Sequence, residues 1–454
     1  MTNIYQLLVA ELGPSRVVRD EEHLERFLVD ESGLGRYPAD AAVLCESRAE
    51  VELVLRLAKE HRIAVTPRGA GTGMTGGALP VRGGLVLSTE RMTRIREIDP
   101  EDLVAIVEPG VITGELQAAV EAAGLFYPPD PASLASCSLG GNVAENAGGP
   151  RAFRYGVTRE YVLGLEAVLM GGETIRPGRR TTKGVTGYDV VGALVGSEGT
   201  FAVTTEMTLR LLPKPAAVGA LLAVFGDLII AGRAVSEVLR RGARPRALEL
   251  LDRCTLEHLR GRTAYRLPDG AGAVLLLELD GDEEGLDGQL LRLGEACEAA
   301  GATEVVVAQN EKERRELWDM RRRANPTLRD AHRRKIPEDI VVPRSRIPAM
   351  LAKVDEIAAR HDILCATYGH AGDGNLHINL LLDDDRDVDG AIAELMRATL
   401  DLGGTLAGEH GVGLLKQRYV PWEQAPPLIR LQRQLKRAFD PEDLLNPGKI
   451  FPAP

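Results

Sequence analysis

The chain has 454 residues, 44% of them hydrophobic and 27% charged, which is typical of a globular protein with two or three sizeable domains. Its formal net charge of −11 argues against a nucleic-acid partner, and no apolar run is long enough to span a membrane. The 5 scattered cysteines contain no C-x-x-C pair, so they exclude an iron–sulfur cluster held by this chain alone. Together with an N-terminus that lacks a signal-peptide pattern, they predict a reducing, cytoplasmic compartment.

A glycine-rich stretch, PRGAGTGMTGGALP, occupies residues 67–80. Residues 71–76 have the G-x-G-x-x-G spacing, but that fingerprint opens a helix, whereas an apolar strand is predicted here at 85–87. Gly77 and Ala78 stand where a P-loop has Lys and Ser or Thr. The stretch therefore predicts a phosphate-binding loop of another kind, with a flexible linker as the alternative.

Helices and strands alternate along the rest of the chain. Two short helices are predicted within residues 1–35, and apolar spacing predicts longer ones at 113–123, 228–241, 283–300, 311–332, 346–361, 388–402 and 428–439. The predicted strands are 63–65, 85–87, 95–98, 104–107, 165–170, 201–212, 221–225, 247–250, 274–279, 305–307, 340–342, 365–368 and 376–381. Two prolines around Lys214 mark a domain boundary, after which the pattern predicts an α+β domain with helices over an antiparallel sheet.

Two further clusters of small residues follow the first loop. Residues 138–150, SLGGNVAENAGGP, are interpreted as backbone that lies flat against a planar ligand. A third cluster, GSEGT at 196–200, precedes a predicted strand.

Seven ordered motifs now identify a family. PRGAGTGMTGG, PPDPAS, SLGGNVAENAGG with RYGVTREYVLGLEAVL, GYDVVGALVGSEGT, GHAGDGNLH, GEHGVG and LNPGKIF resemble those of FAD-linked 2-hydroxy-acid dehydrogenases and oxidases. Their FAD domain is of the vanillyl-alcohol-oxidase and p-cresol-methylhydroxylase (PCMH) type, and members include glycolate oxidase flavoprotein subunits, D-lactate dehydrogenases and D-2-hydroxyglutarate dehydrogenase. The resemblance covers roughly residues 36–454.

The resemblance implies an α+β fold in four parts. A helical segment at 1–35 precedes a two-subdomain PCMH-type FAD-binding domain at 36–213. An α+β cap or substrate domain with an antiparallel sheet follows at 214–407. The C-terminal segment, 408–454, would return to the flavin and complete the active site.

The resemblance also implies which residues bind FAD. The first loop would hold the diphosphate, and since Met74 and Thr75 stand where some members attach flavin to a His, FAD should be bound non-covalently. The implied cofactor-binding residues are Pro67, Arg68, Gly69, Ala70, Gly71, Thr72, Gly73, Met74, Thr75, Gly76, Gly77, Pro129, Asp130, Ser133, Leu139, Gly140, Gly141, Asn142, Ala144, Asn146, Gly149, Gly196, Glu198, Gly199 and Asn446.

Three of the 8 histidines lie in glycine-punctuated C-terminal motifs. Two histidines and a carboxylate with open positions can bind a divalent metal, although spacing alone also allows ordinary structural histidines. The family match implies that His370, His377 and Glu409 hold the metal, zinc with iron or manganese as alternatives. The five histidines outside these motifs are interpreted as structural or solvated: His23, His61, His258, His332 and His361.

A metal beside a 2-hydroxy acid would orient its oxygens and lower the hydroxyl pKa, while a base takes the hydroxyl proton and hydride passes to flavin N5. We assign His410 as the base, with an indirect role behind Glu409 as the alternative. Trp318 and Arg321 resemble the family's W-x-x-R, so Arg321 should bind the substrate carboxylate. Lys335 and Asn379 are further substrate-binding candidates.

The expected substrate is D-lactate, glycolate or D-2-hydroxyglutarate. The electron acceptor would be an iron–sulfur subunit, an electron-transfer protein, a quinone or oxygen, and the chain could form a homodimer or associate with a membrane through a partner. Two other functions are considered. A non-catalytic flavin subunit would lack the C-terminal His and Glu motifs, and a metal-dependent hydrolase would leave the glycine loops unexplained.

Overall fold

The computed structural model describes residues 4–453 and divides into two compact units. The first comprises the described residues of Met1–Gly148, Gly156–Lys214 and Glu409–Pro454. The second comprises Gly149–Tyr155 and Pro215–Gly408. None of the helices between residues 4 and 453 combines the length and apolar composition needed to cross a bilayer.

Helices and strands are numbered in chain order. The α-helices are α1 (Ile4–Leu12), α2 (Glu21–Leu24), α3 (Arg48–Glu60), α4 (Thr113–Ala122), α5 (Leu139–Glu145), α6 (Ala152–Tyr155), α7 (Val190–Leu194), α8 (Leu228–Arg240), α9 (Arg253–Leu259), α10 (Glu283–Ala299), α11 (Glu311–Ala331), α12 (Ile347–His361), α13 (Asp389–Asp401), α14 (Val420–Glu423) and α15 (Pro426–Phe439). The strands are β1 (Val17–Val18), β2 (Ala41–Leu44), β3 (Val65–Arg68), β4 (Leu85–Ser88), β5 (Ile95–Asp99), β6 (Val104–Val107), β7 (Leu125–Phe126), β8 (Val162–Val168), β9 (Thr174–Ile175), β10 (Val203–Arg210), β11 (Leu212–Pro213), β12 (Ala217–Phe225), β13 (Ala247–Asp252), β14 (Ala273–Gly281), β15 (Glu304–Val307), β16 (Arg334–Val341), β17 (Leu364–His370) and β18 (Asn375–Leu382). Short 3-10 turns lie at Pro14–Arg16, Glu25–Phe27, Thr158–Glu160, Arg344–Arg346 and Gln417–Tyr419.

The first unit contains a four-stranded sheet in the order β1-β2-β4-β3 and a five-stranded antiparallel sheet in the order β5-β6-β10-β8-β9. In the smaller sheet, β2 and β3 both run parallel to β4. The chain passes from β3 to β4 without forming a helix, which confirms the argument against a dinucleotide-binding fingerprint.

Helix α3 covers the four-stranded sheet because its apolar residues recur at helical spacing. Val51, Val54, Leu55 and Ala58 are buried in one core cluster with the sheet strands. Its start is fixed by Ser47, whose Oγ accepts the hydrogen bond of the Glu50 N–H at 3.4 Å.

The second unit is built on a seven-stranded sheet in the order β15-β12-β14-β13-β17-β18-β16. Every neighbouring pair in it is antiparallel, as the sequence predicts for this region. Helices α9 and α11 pack on one face through Leu256, Leu317 and Met320. Helices α8, α10, α12 and α13 pack against the sheet and, in the order α10-α8-α12-α13, against one another.

One segment differs from its predicted conformation. Residues 138–150 were expected to lie flat against a ligand, but Leu139–Glu145 form helix α5. Leu139 and Val143 are one helical turn apart and both buried, which stabilises the helix despite its glycines. Asn146 ends it in the left-handed conformation, at φ 55°.

Candidate functional site

The glycine loop after β3 presents bare backbone. Gly71 and Gly76 have φ values of 76° and 85°, which other residues rarely adopt. A Cβ on Gly69 would lie 2.3 Å from Ser138 Oγ, so the loop touches the start of α5 too closely for a side chain. A Cβ on Gly73 would meet nothing within 4 Å, so the loop is open on that side. Backbone of this kind can surround an anion.

The C-terminal tail is tied to this loop by buried side chains. Asn446 donates from Nδ2 to the carbonyl oxygens of Gly77, at 3.0 Å, and Glu198, at 2.7 Å. Lys449 donates from Nζ to the carbonyl of Leu79 at 2.6 Å. These contacts define one site in the first unit, here called the glycine-rich cradle. It consists of the glycine loop, residues 138–146, Glu198, residues 411–414 and Asn446.

Two buried carboxyl groups lie in the cradle. Glu198 accepts hydrogen bonds from the N–H groups of Val412, at 2.8 Å, and Gly413, at 2.7 Å. Glu145 Oε2 is buried and has no hydrogen-bond partner within residues 4–453. Burial, together with the charge of Glu198, raises the pKa of Glu145 well above its usual value.

An orphaned carboxyl group beside an open glycine loop fits a bound dinucleotide. Phosphates suit the bare loop, and a ligand hydroxyl or ring N–H would satisfy Glu145 Oε2. FAD carries all of these groups, so the cradle fits FAD.

The side chain of Arg68 and the predicted cofactor residues outside the loop differ in their surroundings. Arg68 donates its guanidinium to the carbonyls of Val29 and Arg26, both at 2.8 Å, so its side chain anchors the strand before the loop. The Pro129 carbonyl accepts a hydrogen bond from Gln117 at 2.7 Å, in a segment that also contains Asp130 and Ser133. Members placed in or next to the cradle are Leu139, Gly140, Gly141, Asn142, Ala144, Asn146, Gly196 and Gly199, whereas Gly149 falls in the second unit.

The predicted base and the third predicted metal ligand also belong to the first unit. Thr75 Oγ1, in the glycine loop, donates to the carbonyl of His410 at 3.1 Å. A Cβ on Gly148 would lie 2.9 Å from Glu409 Oε2, so this carboxylate lies against the end of the second glycine region. Both residues therefore adjoin the cradle.

The second unit contains a buried polar cluster that strand register assembles. Glu249 of β13 pairs with His370 of β17. His377 of β18 pairs with Tyr368 on one side and with Asp339 of β16 on the other. Because side chains alternate along a strand, these five residues lie on one face of the sheet, the face that α11 covers. With Arg321 from α11 they form what we call the histidine cluster.

Glu249 connects two of the predicted site residues. Its Oε1 lies 2.7 Å from His370 Nδ1, and its Oε2 accepts from Arg321 Nε at 2.5 Å. Arg321 also stacks on the Tyr368 ring, 4.7 Å from the centroid. Burial alone would raise the pKa of Glu249, but the neighbouring His370 and Arg321 hold that pKa below its usual value. The carboxylate is therefore charged, and it orients both neighbours.

The two histidines fit a metal ion. His370 Nε2 and His377 Nε2 lie 3.4 Å apart, and the rings are perpendicular, with an interplanar angle of 90°. Two nitrogens bound to one tetrahedral zinc at the usual Zn–N distance lie about 3.4 Å apart. The Nδ1 contact of His370 with Glu249 is also the arrangement that metal-binding histidines commonly have. Glu409 belongs to the first unit and stays a prediction as the third ligand.

Lys335 and Asn379, the two remaining predicted substrate residues, are bonded to each other. Lys335 Nζ donates to Asn379 Oδ1 at 2.8 Å, across the paired strands β16 and β18. Burial lowers the pKa of Lys335 to about 8, with a smaller effect from Arg329. Asn379 donates its own amide to the carbonyls of Ala366 and His377, so it is fixed in the strand.

Three members of the histidine cluster were not predicted from the sequence. These members are Glu249, Asp339 and Tyr368. Glu249 is a charged residue inside the apolar run of β13, where every position is buried. A charge within such a run was the signal in the sequence that could have identified it.

Known proteins resemble the chain over nearly its whole length. Residues 39–178 match the family model described as "FAD binding domain", and residues 214–450 match "FAD linked oxidases, C-terminal domain". The glycolate oxidase subunit GlcD of Bacillus subtilis is 40% identical over 456 residues, which covers 99% of this chain and 97% of that protein. A D-lactate dehydrogenase of Anaerostipes hadrus is 34% identical, with 97% and 95% covered. A D-2-hydroxyglutarate dehydrogenase of Stutzerimonas stutzeri is 32% identical, with 97% of each covered.

Solved structures share the fold at lower identity. A 4-ethylphenol oxidase from Gulosibacter chungangensis superposes with a TM-score of 0.79 at 19% identity, with 99% of this chain and 97% of that chain covered. A p-cresol methylhydroxylase superposes with a TM-score of 0.77 at 19% identity, with 99% and 96% covered. These neighbours confirm the predicted PCMH-type α+β fold. The protein is an oxidoreductase with an FAD-binding domain, and it belongs to the family of FAD-linked oxidases.

Proposed function

We propose that the protein oxidises a small 2-hydroxy acid to the 2-oxo acid, with non-covalently bound FAD as the immediate electron acceptor. The observation that supports this most is the buried histidine cluster, in which two histidines that could hold a metal ion lie on one sheet face and Arg321 of α11 pairs with Glu249. The relatives named for glycolate, D-lactate and D-2-hydroxyglutarate support the same substrate class.

The carboxylate of the substrate requires cations, and the second unit offers the buried Arg321 and the half-buried Lys335. Arg321, oriented by Glu249, and Lys335, oriented by Asn379, are the proposed carboxylate-binding residues. Fixing the carboxylate restricts which face of C2 can react. A second carboxylate on a longer substrate would bind to whichever cation the first leaves unused.

His410 is the proposed base that takes the hydroxyl proton as hydride leaves C2. FAD supplies the two-electron acceptor for that hydride. His370 and His377, with Glu409 as the proposed third ligand, would hold a divalent ion whose contribution is Lewis-acid activation of the hydroxyl. Electrons then pass to a separate acceptor, for which a protein partner, a quinone and oxygen are the candidates.

Glu249→Gln should weaken metal binding. Glutamine keeps the size of the side chain but removes the charge that orients His370, and loss of such a partner typically costs about 10–100-fold in metal affinity. The measurement is the metal affinity of the purified variant by competition with a chromophoric chelator. This readout does not depend on turnover.

Glu278→Gln is the matched control for that variant. Glu278 is also buried and ion-paired, with Arg246 and Arg314, but it lies on β14 and contacts neither histidine. The Glu278→Gln variant should have a lower melting temperature than the native protein but the same metal affinity. Equal metal affinity for Glu249→Gln and the native protein would contradict the role of Glu249.

The KM for the acid substrate should rise above pH 8. Lys335 carries its charge below the pKa of about 8 and loses it as pH increases through that value. Loss of the cation should raise KM by roughly tenfold per pH unit. Lys335→Arg should remove this dependence, because arginine stays protonated at these pH values. A native KM that stays constant from pH 7 to pH 10 would refute carboxylate binding by Lys335.

A substrate panel on the metal-loaded protein tests the proposed function. Glycolate, D-lactate, L-lactate and D-2-hydroxyglutarate are supplied with an artificial electron acceptor, and we expect turnover with a D-2-hydroxy acid or glycolate. Flavin content without turnover of any of them would favour a non-catalytic subunit. Hydrolysis of esters or amides by a flavin-free protein would favour the hydrolase.

A further inference from the structure

Helix α15 is attached to the first unit by polar groups. Lys436 donates from Nζ to the carbonyls of Thr200, at 2.8 Å, and Leu445, at 2.9 Å. Arg433 donates to the carbonyl of Pro452 at 2.5 Å. The side of the helix that faces the protein is thus held by hydrogen bonds and by Phe439, whose ring stacks on that of Phe201 with 4.6 Å between the centroids. None of the residues of α15 is fully buried.

One edge of the exposed side of α15 carries leucines. Leu428, Leu431 and Leu435 are 46%, 61% and 41% exposed, and Trp422, just before the helix, is 38% exposed. Their spacing of three and four residues aligns the leucines in one stripe. An amphipathic helix normally buries such a stripe, whereas in α15 the stripe borders the exposed side of the helix.

Positive charge accompanies the leucine stripe. Residues 426–439 contain Arg430, Arg433, Lys436 and Arg437 and no acidic residue. Arg430 and Arg437 are exposed, and neither forms an ion pair with a carboxylate among the described residues. Successive residues of a helix are rotated by about 100° around its axis. These two arginines therefore lie along one edge of the exposed side of α15, and the leucines lie along the other edge.

From this pattern we propose that α15 binds to a lipid surface that contains anionic headgroups. The leucines and Trp422 would enter the boundary of the acyl chains, and the two free arginines would contact the headgroups. The net charge of −11 does not prevent this, because charges farther away than about 8 Å are screened at physiological ionic strength.

A second copy of the chain fits this face less well. Pairing two copies through the whole exposed side of α15 would cover the leucines but would bring Arg430 and Arg437 of one copy towards those of the other. Like charges at such a contact oppose association. The free arginines therefore favour an anionic surface over a self-interface.

The test is co-sedimentation of the FAD-loaded protein with vesicles of phosphatidylcholine, with and without phosphatidylglycerol. We expect binding only to vesicles that contain phosphatidylglycerol, with reversal at high salt. The pair Leu428→Gln and Leu431→Gln, and separately Arg430→Gln with Arg437→Gln, should each lower the partition coefficient by roughly tenfold or more. Leu291→Gln, at a 65% exposed leucine of α10, is the matched control and should bind as the native protein does.

A second measurement follows the helix itself. The chain has 2 tryptophans, and binding should shift the Trp422 emission to the blue, a shift that Trp422→Phe abolishes. Absence of binding to either vesicle overturns the proposal, as does equal binding to both. A concentration-dependent dimer that the leucine variants dissociate also overturns it, because the stripe would then be an interface between copies.

Discussion

Alanine in place of His410 is expected to lower kcat by about 10²–10⁴-fold, the usual contribution of a positioned general base. The FAD content should stay unchanged, because the contact of this residue with the glycine loop is made by its backbone carbonyl, which accepts from Thr75. The measurement is the turnover rate with the best substrate of the panel, at saturating substrate. Added imidazole should restore part of the activity, since a small base can occupy the space of the missing ring.

His361→Ala is the control for this variant. His361 lies at the end of α12, with its Nε2 3.0 Å from Glu394 Oε1, and should be dispensable for turnover. Full activity of His410→Ala would refute the base assignment. A loss of activity that imidazole does not restore, accompanied by loss of FAD, would show that the residue supports the cradle instead.

Gly413→Ala is expected to release most of the FAD. A Cβ at this position would lie 2.2 Å from the Thr75 carbonyl oxygen, which is backbone of the glycine loop, and the φ of 51° is itself unfavourable for alanine. The Gly413 N–H also donates to Glu198. The substitution should therefore displace the loop and lower the free energy of unfolding by about 3 kcal/mol.

Gly124→Ala separates the effect of the close Cβ contact from the effect of the unfavourable φ. Gly124 has a similar φ of 74°, but a Cβ there would meet nothing within 4 Å. Gly124→Ala should lower the free energy of unfolding by only about 1 kcal/mol and leave the FAD content unchanged. Flavin absorbance per protein and thermal unfolding measure both effects. Native FAD content in Gly413→Ala would show that the cradle does not need this close approach.

Periodic segments of the fold were predictable from sequence. The predicted helices at 228–241, 283–300 and 311–332 correspond to α8, α10 and α11 with ends that differ by one residue. Long apolar repeats specify such helices locally, even across Pro326 in α11. By contrast, the strand predicted at 340–342 overlaps only the last two residues of β16, because the first half of β16, starting at Arg334, is polar and is held by pairing with β18.

The residues of the histidine cluster were only partly predictable. His370 and His377 are close in sequence and lie in a recognisable motif. Glu249, by contrast, is 121 residues from His370, and only the pairing of β13 with β17 brings them together. Register over such a distance depends on the whole sheet, so local patterns do not encode it.

The orientation of α15 shows a further limit of sequence patterns. Its amphipathic spacing predicted a helix at 428–439, and the helix is present as Pro426–Phe439. Periodicity alone gives no direction, and the natural expectation is that the apolar stripe faces inward. Hydrogen bonds from Arg433 and Lys436 fix a neighbouring side of the helix to the protein, so the leucines stay partly exposed.

Anaerobic reduction of the bound flavin tests the central claim most directly. The purified, metal-loaded protein is mixed with D-lactate, glycolate or D-2-hydroxyglutarate without oxygen, and the flavin absorbance near 450 nm is followed. Oxidation of a 2-hydroxy acid by FAD predicts that at least one of them bleaches the flavin, with formation of one 2-oxo acid per flavin. A protein that contains FAD and metal but whose flavin stays oxidised with every 2-hydroxy acid would contradict the proposed function.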